Sequence, residues 1–116
     1  MTLQELKNLR YQEIDSTTSY LIAQGFTFAG YTFSMSVNAQ INWSNLPNLP
    51  ESVFPLHVST LNDEEIYYLS FANKMNFYYT AVSGKNGPLQ SGNDLKTLIT
   101  ACVDEACVNS IVDNRI

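Results

Sequence analysis

The sequence predicts an α+β fold: one small domain over residues 1–116, with an N-terminal helix, two β-hairpins and C-terminal helices. Three observations carry this expectation. Thr2 followed by Glu5 is a capping pattern, in which a hydroxyl and a carboxylate satisfy the first orphan amides of a helix. Two stretches of period-two alternation then follow, each across a polar or glycine-containing turn. After Ser70 the apolar residues return to helical spacing. A length of 116 residues with 45% hydrophobic content is enough for one core and too short for two full domains, which usually run roughly 100–150 residues each.

The first helix is expected from about 3 to 24. Leu3, Leu6, Leu9, Ile14, Leu21 and Ile22 mark its apolar side, Ser16–Ser19 loosen it, and Gly25 is a left-handed stop. Phe26-Thr27-Phe28 and Tyr31-Thr32-Phe33-Ser34-Met35 alternate large apolar with small polar residues around Ala29-Gly30, which predicts a hairpin with a buried aromatic face. Ser36 caps a short helix from Val37 to about Leu46, with Ile41, Trp43 and Leu46 inward, before Pro47, Pro50 and Pro55 break the chain. Leu56–Leu61 and Ile66–Leu69 predict a second hairpin around the turn Asn62–Glu65. Ser70 caps the next helix, whose expected stripe is Phe71, Met75, Tyr78, Tyr79 and Val82. Ser83–Pro88 reads as a turn between helices. Beyond it, Leu89, Leu95, Leu98, Ile99 and Cys102 form another stripe, and Asp104 starts a last helix carrying Cys107, Val108, Ile111 and Val112.

Charge narrows the partners. Charged residues are only 15% of the chain, against 37 Asn, Gln, Ser and Thr, so the surface is polar but largely uncharged. Such a surface approaches another protein with little charge desolvation. The net charge is −5 and the six cations are scattered, which argues against nucleic acid. No apolar run approaches the roughly 18 residues of a membrane span. Met1–Glu5 reaches an acid by its fifth position and does not read as a signal peptide, so the chain is expected to be made in a cytoplasm.

Chemistry-bearing constellations are sparse, and no catalytic, cofactor or metal residue is assigned. His57, the single histidine, has no local ligand or nucleophile partner and reads as a structural strand residue. Cys102 and Cys107 cannot complete a zinc site; they read as small buried thiols, with a disulfide formed after lysis as the alternative. Asp63-Glu64-Glu65 lacks the spacing of a calcium loop and reads as a solvated turn. Gly84-Lys85-Asn86-Gly87 lacks the hydroxyl residue of a phosphate loop, and Pro88 removes a donor. The aromatic residues are more telling. Tyr67-Tyr68 and Tyr78-Tyr79 are adjacent pairs, so one member of each faces away from the side occupied by the other. Core packing, a protein interface and sugar stacking all suit such residues. Trp43, Asn45, Asn48, Tyr68 and Tyr79 are the interface candidates.

Ile14-Asp15, Thr18, Ile22, Gly25-Phe26, Phe28, Gly30, Phe33-Ser34, Ser36, Ala39-Gln40 and Asn42-Trp43 together resemble a family of small domains from the tail and tail-fibre region of tailed bacteriophages. Phe54–Leu69 is similar to that family's second hairpin, and Phe77–Arg115 to its closing helices. Family members often carry Asp-Gly or Asn-Gly where this chain has Ala29-Gly30, and Asn45–Pro55 is unusually proline-rich. The resemblance implies a non-enzymatic structural component of a virion, in the tail, baseplate or fibre attachment. Its partners would be other phage tail or fibre proteins, or a further copy of itself. The alternative it implies is a tail-fibre assembly chaperone absent from the mature particle.

Overall fold

The computed structural model describes residues 1–116 and has the α+β architecture. Helix α1 (Leu3–Ala23) leads into the hairpin β1 (Phe26–Phe28) and β2 (Tyr31–Phe33), then α2 (Val37–Asn45). The hairpin β3 (Leu56–Ser59) and β4 (Ile66–Leu69) precedes α3 (Lys74–Thr100) and α4 (Glu105–Ser110). Short 3-10 turns occupy Leu46–Asn48, Glu51–Val53, Leu61–Asp63 and Phe71–Asn73. No helix is long and apolar enough to cross a membrane. The fold resolves into two compact units, one made of residues 1–21 and 87–116, the other of residues 22–86.

In the first of these, the capping box forms as expected: Thr2 Oγ1 accepts from the Glu5 amide at 3.1 Å, and Glu5 accepts from the Thr2 amide at 3.2 Å. The helix continues through Ser16–Ser19 without loosening because Thr18 lies on its buried side. Leu6, Ile14, Ile99, Cys102 and Val108 make the core. Leu9, Leu89, Leu98 and Val112, expected on the inner stripes, are exposed instead. Asp104 caps α4, accepting from the Cys107 amide at 2.8 Å. Cys102 and Cys107, expected as free thiols, form a disulfide. The break between α3 and α4 brings their Cα atoms to 5.5 Å, inside the range a disulfide needs.

Arg115 ties this unit together. Its guanidinium makes a paired contact with Asp113, both bonds 2.8 Å, and donates to the Ile14 and Pro88 carbonyls and to the Thr18 and Ser91 hydroxyls at 3.0–3.1 Å. Gly92 gives it room: a Cβ there would sit 2.6 Å from Thr18 Oγ1 and 3.2 Å from the Arg115 guanidinium. The Arg115 hydrogen bonds hold the Asp113 carboxyl below the usual carboxylate range, and Asp113 raises Arg115 in return.

The second unit is built on aromatic residues. Phe26 pairs with Phe33 and Phe28 with Tyr31 across the first hairpin. Ala29 and Gly30 both have positive φ, 54° and 83°, the geometry of a two-residue type I′ turn. Phe26, Phe33, Leu46, Val58, Leu69, Phe77 and Ala81 form the core, and the Phe77 ring meets Phe26, Phe28, Phe33 and Trp43 at centroid distances of 4.9–5.2 Å. Gly25, at φ 82°, ends α1 as expected, and a Cβ there would overlap the Phe33 carbonyl oxygen.

Two expectations fail here. Ile41 is 55% exposed, whereas Trp43 and Leu46 pack inward as expected and Ala39 is buried with them. The inner side of α3 is Phe77 and Ala81, while Phe71 and Tyr79 are exposed. A third failure is the expected turn at Ser83–Pro88, which is continuous helix in α3. Gly84 serves close packing, since a Cβ on it would lie 2.9 Å from Phe26 Cβ. Pro88 still costs the helix a backbone bond. The burial of Phe77 and Ala81 on one side of it and of Ile99 on the other outweighs that loss.

Candidate protein-contact surface

The candidate surface lies within residues 22–86. Ser36 caps α2 by accepting from the Ala39 amide at 3.2 Å. The Trp43 indole donates to the Ser34 carbonyl at 2.9 Å and Gln40 donates to the Met35 carbonyl at 2.9 Å, which fixes α2 against the end of the first hairpin. Helical spacing then places Asn38, Asn42 and Asn45 together on one side of α2, all exposed. That side and strand β3 bound a groove of about 950 Å³. Its only acidic lining residue is Asp63, its only histidine is His57, and it has no lysine or arginine.

The far wall is the edge of β3. Leu56 through Asp63 line it without a gap, so residues from both faces of the strand contribute and the strand presents its side to the groove. Leu56 pairs with Leu69, His57 with Tyr68, Val58 with Tyr67 and Ser59 with Ile66. The Thr60 amide donates to the Glu65 carbonyl at 2.9 Å, and Thr60 Oγ1 accepts from the Glu65 amide at 2.9 Å. Antiparallel pairs alternate, so Val58·Tyr67 and Leu56·Leu69 exchange hydrogen bonds while His57 and Ser59 turn their N–H and C=O groups away from β4. The close approach of the His57 and Tyr68 rings, 4.6 Å between centroids, is the mark of such a non-bonded pair.

Lysine 74 fixes the segment after α2. Its side chain is buried, lies 4.6 Å over the Phe71 ring, and donates to the Pro47 and Leu49 carbonyls at 3.1 and 3.2 Å. Those carbonyls belong to the 3-10 turn Leu46–Asn48 and to the residue that ends it, where a cation satisfies groups that the turn leaves open.

Of the five interface candidates, Trp43 and Asn45 line the groove, Trp43 half-buried and Asn45 exposed. Asn48 is exposed in the turn after α2, outside the groove lining. Tyr68 and Tyr79 are the outward members of their pairs, 60% and 59% exposed, on the outer face of the second hairpin and on α3. Tyr67 instead packs on Phe28, Tyr31 and Phe33. Sequence reasoning passed over Asn38 and Asn42, although their spacing with Asn45 was visible, and over the free edge at His57 and Ser59. Asn62 and Asp63 both have positive φ, 62° and 56°, and set the turn at the end of the groove. Asp63, Glu64 and Glu65 are exposed and enter no ion pair. No group of three or more His, Cys, Asp or Glu side chains is placed to hold a metal ion. Compared with protein-family models, curated proteins and solved structures, the chain matches none of them.

Proposed function

We propose that this chain is a non-enzymatic structural component of a tailed-phage particle, in the tail, baseplate or fibre attachment, and that it acts by binding other particle proteins. The observation that carries the protein-contact part is the surface of the second unit: an amide-lined groove with little charge to desolvate, and exposed Tyr68 and Tyr79. The phage assignment rests on the sequence resemblance. Of the residues that carry it, those from Ile22 to Trp43 supply the end of α1, the aromatic hairpin and the cap of α2, in the same unit as this surface.

The test is mass spectrometry of purified particles together with a cryo-EM map. A 13.0 kDa chain in fixed ratio to a tail or fibre protein, with density at that location, supports the proposal. Its absence from finished particles, with transient binding to fibre protein during assembly, would replace it with the chaperone role.

A further inference from the structure

We propose that the groove between α2 and β3 receives an extended segment of a partner polypeptide as a third strand, antiparallel to β3. This deepens the protein-contact reading and rests on it. The free edge offers the N–H and C=O groups of His57 and Ser59, which point away from β4 and have no partner within the protein. An added strand satisfies those groups and gains main-chain affinity that is largely independent of its side chains. A strand lying in a groove leaves its own second edge exposed, and Asn38, Asn42 and Asn45 face it from α2. Each amide both donates and accepts, as a peptide edge requires.

The walls select the occupant. A second folded copy would have to bring its own β3 edge into the groove, and that edge is flanked by its own α2 and by the 61–63 turn. A segment without folded neighbours enters freely. Charge selects further: Asp63, unpaired and exposed, lines the groove at the C-terminal end of β3. An antiparallel strand places its N-terminal end there, so the segment carries Lys or Arg at that end and is otherwise uncharged.

The probe is a pool of acetylated heptapeptides that begin with Lys and then alternate Thr or Ser with Val, Ile or Tyr. Matched pools begin with Glu, or carry an N-methyl group on every amide and so have no backbone donor. Amide hydrogen exchange is followed by NMR on the full chain. The expected result is that the His57 and Ser59 amides exchange at least tenfold more slowly with the Lys pool, that the Glu pool binds several-fold more weakly at low salt, and that the N-methylated pool has no effect. Ser59→Pro removes one edge donor without touching the ladder to β4 and should lose the peptide; if it does not fold, the N-methylated pool decides alone. Unchanged exchange at His57 and Ser59, or equal protection by the N-methylated pool, would overturn the strand site. Equal binding of the Lys and Glu pools would overturn the stated charge of the partner. Absence of the chain from purified particles would defeat the virion assignment and leave these amides unaffected, so the two failures are distinguishable.

Discussion

Ala29 carries the most readable strain in the chain. Its φ of 54° is left-handed, a conformation that costs a residue with a Cβ roughly 1–2 kcal/mol, and next to it Gly30 sits at φ 83°. Both residues are exposed, and a Cβ built on Gly30 has no atom within 4 Å, so backbone conformation alone sets the energetics. Ala29→Asn relieves the strain without giving the unfolded chain glycine's freedom, and should stabilise by about 1 kcal/mol. Ala29→Gly relieves it fully but returns about 0.4–1 kcal/mol of unfolded-state entropy, leaving a smaller gain. Gly30→Val should cost on the order of 1–3 kcal/mol through φ alone. Gly25→Ala should cost more than Gly30→Ala, because its Cβ also overlaps the Phe33 carbonyl. Urea melts of the variants measure the ordering. If Ala29→Asn destabilises while Gly30→Val leaves the midpoint unchanged, the two-residue turn is wrong and the reasoning fails with it.

Other outcomes follow from partly buried Arg115, buried Lys74 and the disulfide. Arg115→Met leaves the Ile14 and Pro88 carbonyls without this donor and strips the Asp113 carboxylate of its guanidinium partner, keeping only the residue 115 amide, and should cost about 2–4 kcal/mol in denaturant melts. Because Asp113 is held below its ordinary range, its contribution is present above roughly pH 4 and is lost as pH falls through the folded value; Asp113→Asn should flatten stability against pH in that acid window. Lys74→Met should cost about 1–3 kcal/mol and speed hydrogen exchange between Leu46 and Val53, since the Pro47 and Leu49 carbonyls lose their donor. The oxidised protein should show no thiol to an alkylating reagent, and reducing the short Cys102–Cys107 loop should lower stability by about 2 kcal/mol.

The elements with strong local chemistry were legible in the sequence. The Thr2–Glu5 capping box, the Gly25 stop, the Ala29-Gly30 turn and the Ser36, Ser70 and Asp104 caps all stand where their side chains or φ values require. What failed depended on tertiary context. Gly84, Gly87 and Pro88 weaken an isolated helix, and nothing local reveals that Gly84 is there to admit Phe26. The stripe was misplaced at Phe71 and Tyr79, which are exposed, while Tyr78 does pack against the core that Phe77 and Ala81 enter fully; Phe71 precedes α3 in a 3-10 turn, which shifts its side chain off the helical spacing. The cysteines were judged by redox compartment, whereas the helix break puts their Cα atoms at 5.5 Å. For the surface, alternation correctly turned one tyrosine of each pair outward. The groove stayed hidden because it needs α2 and β3 brought together across the proline segment, a placement that Lys74 helps fix and no local pattern encodes.

The distribution of cations explains why so sparsely charged a chain leaves acidic groups unpaired. Arg115 and Lys74 are spent on backbone carbonyls and an internal carboxylate. Arg10 pairs with Glu13, Lys96 with Asp15, and Lys7 donates to the Thr100 carbonyl. Of the six cations only Lys85 has no such partner. The carboxylates of Asp63, Glu64 and Glu65 have no cation near enough to pair, and Asp63 stands at one end of an otherwise uncharged groove. A phosphate backbone gains nothing from such a surface. A polypeptide strand meets amides that match its own hydrogen-bonding groups along its length and, at one end, the Asp63 carboxylate, so affinity comes from the edge and the preference for a basic end from the charge.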